Sequence, residues 1–257
     1  MSRAILRPME TPALLARLAA LPRAVLAYSG GVDSTLVAAL AQRALGGRFA
    51  AVTVRSAFIA SRDLDLARTK ARTLGLDHHI MDLDVWGVAG LAANGPERCY
   101  LCKRAVLGLV AQAFPDAVLL EGTNAGDDPA RPGRRAVAEL GALSPLAQAG
   151  LTKAQVRALS RSLGLPGPDE PSNSCLATRI PQGTPLSAQA LARVEALEAF
   201  ARGLGFSDLR CRDQGLFLRL ELPAGQLEAA RDRHDDLLAR ARAAGFTDIT
   251  LGERPQP

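Results

Sequence analysis

Residues 27–35 constrain the fold more than any other stretch, because they join a buried apolar segment to a helix through a turn of very small residues. The run Ala24-Val25-Leu26 predicts a strand, and residues 36–40 continue a helical pattern. Gly30 and Gly31 let a ligand approach the backbone, and a helix N-terminus presents N–H groups and positive potential to it. The stretch therefore predicts a phosphate-binding turn between a strand and a helix.

This turn lacks the lysine of a Walker A loop and does not match the dinucleotide-binding glycine pattern. It resembles the SGGxDS loop of the PP-loop pyrophosphatase superfamily, whose members cleave ATP between the α- and β-phosphates and adenylate a substrate. The resemblance implies ATP binding by the small, hydroxyl and acidic residues of the turn: Ser29, Gly30, Gly31, Asp33, Ser34 and Thr35. It also implies that Asp33 helps to bind magnesium. An ordinary glycine-rich turn with a serine cap is the alternative interpretation.

Strand and helix signals alternate along the first two thirds of the chain. After an N-terminal helix, apolar patterns predict strands at 24–28, 49–54, 77–85 and 117–120, and helices at about 34–45, 61–74, 100–114 and 152–163. This order predicts an α/β fold with a parallel sheet, helices on both faces and ligands beyond the carboxyl ends of the strands.

From residue 187 the order changes to helix (187–203), strand (207–213), strand (216–222), helix (224–244) and strand (246–251), which predicts a small α+β module. We expect residues 1–183 to form an ATP-binding domain. Residues 184–257 are expected to form a small domain for substrate binding or oligomerisation.

The composition, 48% apolar and 22% charged, is typical of a packed globular protein. No run of 18 apolar residues occurs and the first residues do not form a signal-peptide core, so we expect a cytoplasmic protein with no membrane partner. The net charge of +5 comes mainly from scattered arginines, and only 4% of residues are aromatic. A small phosphorylated molecule is therefore a more natural partner than nucleic acid.

Residues 121–128 form a polar turn directly after the strand at 117–120. Carboxylates beside a phosphate site would repel the phosphate unless a cation lay between them, so Asp127 or Asp128 is a candidate magnesium ligand. A surface turn closed by its own Asn and Asp side chains is the alternative.

Four cysteines occur in a chain that we expect to be cytoplasmic, which favours metal or sulfur chemistry over disulfides. Cys99 and Cys102 form a C-x-x-C pair at a helix start, where the dipole favours thiolate. A zinc site would need two further ligands nearby; a redox pair or two cysteines without function are other interpretations. Cys175 lies in a long polar loop with Thr178 and Arg179, which predicts an exposed, reactive thiol rather than a core one.

Cys211 alternates with Arg210 and Arg212 in a predicted strand. The alternation predicts a core thiol and two arginines on the opposite face, where they could clamp a phosphate or a carboxylate. A solvated strand face is the alternative interpretation of these arginines.

Five motifs together resemble the LarE family, and the resemblance extends from the first strand to Gly215. They are Ser29-Gly30-Gly31-Val32-Asp33-Ser34, Arg98-Cys99-Tyr100-Leu101-Cys102-Lys103, Glu121-Gly122-Thr123-Asn124, Ser144-Pro145-Leu146 with Gly150-Leu151-Thr152-Lys153, and Cys175-Leu176-Ala177-Thr178-Arg179-Ile180-Pro181. The resemblance implies a sulfur transferase that uses ATP and magnesium to adenylate a carboxylate of pyridinium-3,5-biscarboxylic acid mononucleotide. Sulfur then enters to give a thiocarboxylate, a precursor of the nickel-pincer nucleotide of lactate racemase.

The resemblance also assigns residues. Cys175 matches the sulfur donor, which in one version of the chemistry attacks the acyl-adenylate and is left as dehydroalanine. In the other version three cysteines hold a 4Fe–4S cluster with an extra sulfide, and the presence of Cys99 and Cys102 favours this version, with Cys175 as the third. ATP binding also falls to Asn124, and substrate or metal contacts to Arg179, Glu198, Arg210 and Arg212. A homo-oligomer and partners in nickel-pincer cofactor assembly are implied as well.

Two other functions compete with this interpretation. Another PP-loop enzyme, such as a tRNA thiolase or an amidotransferase-like synthetase, would share the turn, although the C-terminal module lacks the basic, aromatic surface typical of RNA binding. A nucleotide-binding regulator without chemistry would need only the turn and would leave Cys175 without a role.

Overall fold

The computed structural model describes residues 10–171 and 174–254. Their contacts form two units: unit 1 contains the described parts of Met1–Ser56, Ser61–Val88 and Cys99–Ser172, and unit 2 those of Ala57–Ala60, Ala89–Arg98 and Asn173–Pro257. The boundary at residue 183 stays a prediction, because the units are defined by contacts and not by independent folding. The expectation about a signal peptide concerns residues 1–9, which lie outside the described ones.

A four-stranded parallel sheet forms the centre of unit 1, in the order β3-β2-β1-β4. Its strands are β1 Ala24–Ala27, β2 Phe49–Arg55, β3 His78–Asp82 and β4 Val118–Leu120. Leu26 of β1 pairs with Ala51 of β2 on one side and Leu120 of β4 on the other. The predicted parallel sheet is confirmed, and β1 lies inside it, as its unbroken apolar sequence indicates.

Helices cover both faces of this sheet. They are α1 Glu10–Ala19, α2 Val32–Leu45, α3 Ser61–Thr73, α4 Arg98–Ala113, α5 Gly133–Glu139, α6 Pro145–Gln148 and α7 Lys153–Ser162. On one face Leu40 of α2 joins the core that contains Leu26, and on the other Leu107 and Val110 of α4 join the core that contains Val25. Neighbouring strand residues point to opposite faces, so both faces are buried. The sequence does not predict the short helices α5 and α6.

Unit 2 carries a three-stranded sheet, in the order β5-β6-β7. Its elements are α8 Ala188–Gly203, β5 Arg210–Gln214, β6 Phe217–Leu222, α9 Leu227–Asp232, α10 His234–Ala243 and β7 Asp248–Glu253. β5 and β6 are antiparallel, whereas β6 and β7 are parallel. The predicted α+β order is confirmed, except that the predicted helix at 224–244 is two helices.

The break between α9 and α10 lies at Arg233. This residue leaves the helical conformation, with φ −107° and ψ 17°, and its Nε donates to Asp236 at 2.7 Å in the first turn of α10. Residues 231–236 are all polar and carry no apolar periodicity, so the sequence pattern does not reveal the break. Within the described ranges, no helix combines the length and apolar character needed to cross a bilayer.

Candidate active site

The nucleotide loop, residues 29–33, leads from β1 into α2 at the carboxyl edge of the unit 1 sheet. The chain passes from β1 to β2 on one side, whereas β4 lies on the other side of β1. The loops after β1 and β4 therefore leave the sheet at its topological switch point, where open α/β sheets bind ligands. The first N–H groups of α2 lack acceptors within the helix and are available to an anion there. The loop lies where the sequence predicts it.

Gly30 is required by its conformation and by its surroundings. Its φ is +73°, and a Cβ at this position would lie 2.7 Å from the Ala67 Cα in α3. Its carbonyl accepts a hydrogen bond from Lys70 Nζ at 2.9 Å. Lys70 is 4% exposed and also pairs with Glu170. The helix α3 thus holds the loop in place, through the close packing of Gly30 on Ala67 and through the hydrogen bond from the buried Lys70.

The hydroxyl groups of the loop divide into an exposed set and a buried set. Ser29 is exposed, as is the neighbouring Gly31, whereas Ser34 and Thr35 are buried. Ser34 Oγ donates to the Gly31 carbonyl at 3.1 Å, and Thr35 Oγ1 donates to the Gly30 carbonyl at 3.3 Å. Among the predicted ATP contacts, Ser34 and Thr35 therefore shape the loop from inside, whereas Ser29 and Gly31 are exposed to solvent.

Asp33 connects the loop with two segments that are distant in sequence. Asn124 Nδ2 donates to Asp33 Oδ1 at 3.3 Å, and the Lys153 ammonium pairs with Asp33 Oδ2. The turn that carries Asn124 is closed by Asp127, whose Oδ2 accepts the Asn124 N–H at 2.9 Å. The loop after β1, the turn after β4 and the start of α7 therefore converge on one carboxylate.

The oxygen atoms of this cluster suit magnesium, which is usually held by one or two carboxylates together with phosphates and waters. Asp33 is partly exposed and already attracts a cation, Lys153. Asp127 accepts a backbone N–H and lies 3.8 Å from Arg131 Nη1. Asp128 Oδ1 accepts the N–H two residues on at 2.9 Å, which makes it part of an Asx turn. Asp33 is thus the best-fitting metal ligand of the three, and a bound magnesium ion would neutralise phosphate charge there.

A buried carboxylate supports the turn after β4. Glu121 accepts hydrogen bonds from Lys103 Nζ at 2.7 Å, from Thr123 Oγ1 at 2.7 Å and from Ser144 Oγ. Burial alone would raise the pKa of Glu121, but the Lys103 charge and these hydrogen bonds outweigh it and lower the pKa. Glu121 therefore stays ionised and fixes the turn.

Cys99 and Cys102 lie within the first five residues of α4, at the start of the helix, as predicted. Cys99 is exposed and Cys102 partly exposed. Residues three apart on a helix share a face, so this turn presents two thiols in one direction. Across residues 10–171 and 174–254, no three His, Cys, Asp or Glu side chains form a group that could hold a metal ion.

Cys175 lies in unit 2, immediately before the short 3-10 turn Leu176–Arg179, and it is partly exposed. Arg179 Nη1 donates to the Ser174 carbonyl at 2.6 Å and to the Cys175 carbonyl at 3.3 Å. Thr178 Oγ1 also donates to the Cys175 carbonyl, at 2.8 Å. The prediction that Cys175 is not a core cysteine is confirmed: its backbone is held firmly while its side chain reaches solvent.

Glu198 lies behind this turn and holds Arg179. Arg179 Nε and Nη2 donate to its two oxygens at 2.7 and 3.3 Å, and the Cys211 N–H and Arg202 Nη2 donate at 3.1 and 2.8 Å. Burial alone would raise the pKa of Glu198, but hydrogen bonds and charge from Arg179 and Arg202 lower it. Both Arg179 and Glu198 are 1% exposed. Both residues are bound to each other beneath the Cys175 turn, and Arg179 also lines the cavity of unit 2, so substrate contact by either residue stays a prediction.

A cavity of about 380 Å³ opens in unit 2 beside this turn. Its lining includes Thr178, Arg212, Arg219 and Glu221. Arg212 is held in place, because its Nη1 donates to the Thr178 carbonyl at 2.7 Å and its Nε to Glu221 at 2.9 Å. Arg210 shares the strand face of Arg212, as predicted, but does not line the cavity. The cavity is suited to an anionic group.

Cys211 occupies the opposite face of β5 and is 1% exposed. Burial raises the pKa of its thiol far above the ordinary range. The predicted core role of Cys211 is therefore confirmed.

Three site residues receive no role from the sequence: Lys70, Lys153 and Arg219, although Lys153 stands in one of the five motifs. A signal for the two lysines exists, because the chain contains 28 arginines and only three lysines. All three lysines lie in unit 1 and pair with a carboxylate.

Comparisons with known proteins agree with this architecture. The asparagine synthase family model matches residues 13–93, which include the nucleotide loop. An uncharacterized Synechocystis protein is 38% identical over 81% of this chain and 79% of its own. The pyridinium-3,5-bisthiocarboxylic acid mononucleotide synthase of Lactiplantibacillus plantarum is 32% identical over 93% of this chain and 88% of its own.

A tRNA-specific 2-thiouridylase of Methylorubrum extorquens is 34% identical, but over only 33% of this chain and 27% of its own. The resemblance of the five motifs is thus matched by identity along nearly the whole chain to one named synthase. This chain belongs to the LarE family of the PP-loop superfamily.

Proposed function

We propose that this protein is an ATP-dependent sulfur transferase that converts a carboxylate of pyridinium-3,5-biscarboxylic acid mononucleotide into a thiocarboxylate. The observation that carries the proposal is the convergence of the nucleotide loop, Asn124 and Lys153 at a sheet switch point. It occurs in a chain that is 32% identical to a named synthase of the thiocarboxylated product.

In the first step the substrate carboxylate attacks the α-phosphorus of ATP. The bond from this phosphorus to the oxygen that bridges it to the β-phosphate breaks, and pyrophosphate leaves with the negative charge. The free N–H groups at the start of α2 and the helix dipole stabilise that charge. Adenylation replaces a poor leaving group, an oxide, by AMP.

In the second step the Cys175 thiolate attacks the acyl carbon, and AMP leaves to give a thioester. Loss of the Cys175 Cα proton then breaks the Cβ–S bond, so the thiocarboxylate leaves with the sulfur and the residue becomes dehydroalanine. The partly exposed thiol on a firmly held backbone supports this role. Arg212 and Arg219 in the adjacent cavity supply charge for the phosphate of the mononucleotide.

A cluster-bound sulfide is the alternative sulfur source within the same proposal. Cys99 and Cys102 offer two thiols on one face of α4, and Cys175 would be the third ligand of a 4Fe–4S cluster. Such a cluster would supply the sulfide and spare Cys175. Iron and sulfide analysis after anaerobic purification distinguishes the two sources.

The test is pyrophosphate release from ATP with magnesium and the dicarboxylate substrate. We expect release by the wild-type protein and by Asp128→Asn, in which the Asx turn keeps its acceptor, but not by Asp33→Asn. Cys175→Ser should still release pyrophosphate and form no thiocarboxylate. Mass spectrometry after turnover should show the loss of H2S at Cys175 if the residue is consumed. Equal pyrophosphate release with and without the dicarboxylate would contradict the proposal.

The thiouridylase match favours one second candidate, sulfur transfer to tRNA, because that enzyme is 34% identical over 33% of this chain. Replacing the dicarboxylate by tRNA in the same assay tests it. Family resemblance also supports a cytoplasmic homo-oligomer acting with other proteins of nickel-pincer cofactor assembly. Size-exclusion chromatography with light scattering tests the oligomer.

A further inference from the structure

The carbonyl oxygen of Cys175 has more hydrogen-bond donors around it than a peptide oxygen needs. It accepts from the Thr178 N–H at 3.0 Å, from Thr178 Oγ1 at 2.8 Å and from Arg179 Nη1 at 3.3 Å. A peptide carbonyl has two lone pairs, and a backbone N–H is its usual partner. The 3-10 turn accounts for the backbone bond but not for the hydroxyl and the guanidinium. Such a surplus of donors is what an oxygen requires if it becomes negatively charged.

Arginine side chains give this turn a positive environment. Arg179 is 1% exposed, and Glu198 holds it through hydrogen bonds of 2.7 and 3.3 Å. Arg202 pairs with the same carboxylate, so two guanidinium groups share one negative charge beside the turn. Arg212 Nη1 also donates to the Thr178 carbonyl at 2.7 Å. Donors that are already held in place need no reorganisation when charge develops on the oxygen they contact.

We propose that Thr178 and Arg179 form an oxyanion site on the Cys175 carbonyl, and that this site promotes the elimination in which Cys175 loses its sulfur. The inference rests on the version of the proposed function in which Cys175 is consumed, and it names catalytic residues for the loss of the Cα proton. The earlier attack of the thiolate on the acyl carbon does not use the site.

The elimination has a defined electron flow. A solvent base such as hydroxide removes the Cα proton of the Cys175 thioester, and the electron pair of the C–H bond moves onto the carbonyl oxygen to form an enolate. The pair then returns to form the double bond between Cα and Cβ. The Cβ–S bond breaks, and its electron pair leaves on sulfur with the thiocarboxylate. Hydrogen bonds favour the charged form of the group they contact, so these donors stabilise the enolate more than the neutral amide.

The backbone conformation of Cys175 fits this reaction. Its ψ is 157°, close to the fully extended value at which the amide nitrogen, the Cα atom and the carbonyl lie in one plane. The enolate and the dehydroalanine product are both planar about the Cα–C bond, so the turn needs little rotation. Cys99, by contrast, lies in α4, and a helical ψ is further from planarity. A helical carbonyl also accepts a backbone N–H as its regular partner.

A reagent that turns cysteine into a leaving group tests the site without ATP or substrate. A dibromide that alkylates one sulfur twice converts an accessible thiol into a cyclic sulfonium, which eliminates to dehydroalanine when its Cα proton is lost. Peptide mass spectrometry of the full chain follows alkylation and elimination separately at each cysteine. At pH 8 we expect the sulfonium at Cys175 to eliminate at least about tenfold faster than the sulfonium at Cys99.

Substitutions at Thr178 isolate the hydroxyl donor. Thr178→Val keeps the shape of the side chain and should slow elimination at Cys175 by at least about tenfold, while alkylation of the thiol stays unchanged. A merely structural role would change the alkylation rate as well. Thr178→Ser keeps the donor and should retain most of the elimination rate. Thr184→Val is the matched control, because Thr184 is exposed in the same unit, and it should change neither rate.

Turnover adds a second readout. With ATP, magnesium and the dicarboxylate, Thr178→Val should accumulate the Cys175 thioester, seen as an acyl adduct by mass spectrometry, because attack proceeds and elimination is slowed. If elimination from the sulfonium responds as expected but turnover leaves Cys175 unmodified, the consumed-cysteine version of the proposed function fails while the oxyanion site stands.

The inference is overturned if the folded Thr178→Val and Thr184→Val proteins eliminate the Cys175 sulfonium at the same rate. It is also overturned if Cys175 eliminates no faster than Cys99 in the wild-type protein. The second comparison needs no variant, so it decides the question if Thr178→Val does not fold.

Discussion

Removing the carboxylate of Glu198 should destabilise the protein strongly, because it leaves a buried guanidinium without its counter-charge. Glu198 accepts two hydrogen bonds from Arg179, one from Arg202 and one from the Cys211 N–H. Breaking a buried ion pair on one side costs about 3–5 kcal/mol. Arg179 keeps its bonds to the Ser174 and Cys175 carbonyls, which places Glu198→Ala near the lower end, at about 3 kcal/mol.

This loss corresponds to a melting temperature lower by roughly 6–12 °C for a chain of this size. The effect has a defined pH dependence. The pKa of Glu198 is lowered in the folded protein, so its contribution is complete above the unfolded carboxyl pKa, about 4.3, and is lost as the pH falls through the folded pKa. The stability difference between wild type and Glu198→Ala should therefore be constant near neutral pH and shrink in acid.

Urea denaturation followed by circular dichroism measures the stability, and hydrogen exchange of the peptide that spans residues 174–180 measures the Cys175 turn. Glu228→Ala is the matched control, because Glu228 is exposed on α9 in the same unit and its loss should change the stability by less than about 0.5 kcal/mol. The prediction is contradicted if Glu198→Ala unfolds at the same urea concentration as this control and its residues 174–180 exchange hydrogen equally slowly. The ion pair of Arg179 and Glu198 would then not hold the segment that carries Cys175.

Three further predictions follow from burial and backbone geometry. Gly30→Ala should abolish nucleotide binding and lower the free energy of unfolding by about 1–3 kcal/mol, because it strains a positive φ and its Cβ overlaps α3. Gly47→Ala, which has open space around it, should do neither, and calorimetry and thermal melts measure both effects. Lys70→Met should raise KM for ATP more than it lowers kcat, since it frees the loop but touches no reacting atom, and an unchanged KM would contradict that role. Iodoacetamide at pH 8 should label Cys99 rapidly and leave Cys211 unlabelled until the protein unfolds, because burial raises the pKa of the latter thiol; peptide mass spectrometry checks it.

Local sequence patterns predict the features of this protein that local chemistry determines. The buried run of β1, the small residues of the nucleotide loop and the alternation around Cys211 each depend on neighbours in sequence, and the structure agrees with all three. The pair of Asp33 and Lys153 joins residues 120 positions apart, so no local pattern reveals it.

The sequence around Glu198 contains a signal for burial that the family resemblance does not use. Leu191, Val194, Leu197 and Ala201 mark the buried stripe of α8, and Glu198 falls within it at helical spacing. A carboxylate inside an apolar stripe must have a buried partner, because an isolated buried charge is too costly. The sequence thus indicated an internal ion pair, although only the fold identifies Arg179 as its partner.

The position of β1 between β2, which follows it directly in the chain, and β4, which begins only at Val118, has a consequence for biosynthesis. Strands β1, β2 and β3 leave the ribosome early, but the neighbour of β1 on its other side begins only at Val118, and the last partner of Asp33 is residue 153. A nascent chain can therefore assemble most of its sheet while it has little affinity for ATP. Cellular ATP would stabilise only the completed unit, by a free energy that rises with the logarithm of the ATP concentration once this exceeds the dissociation constant. It would therefore favour finished chains over truncated ones.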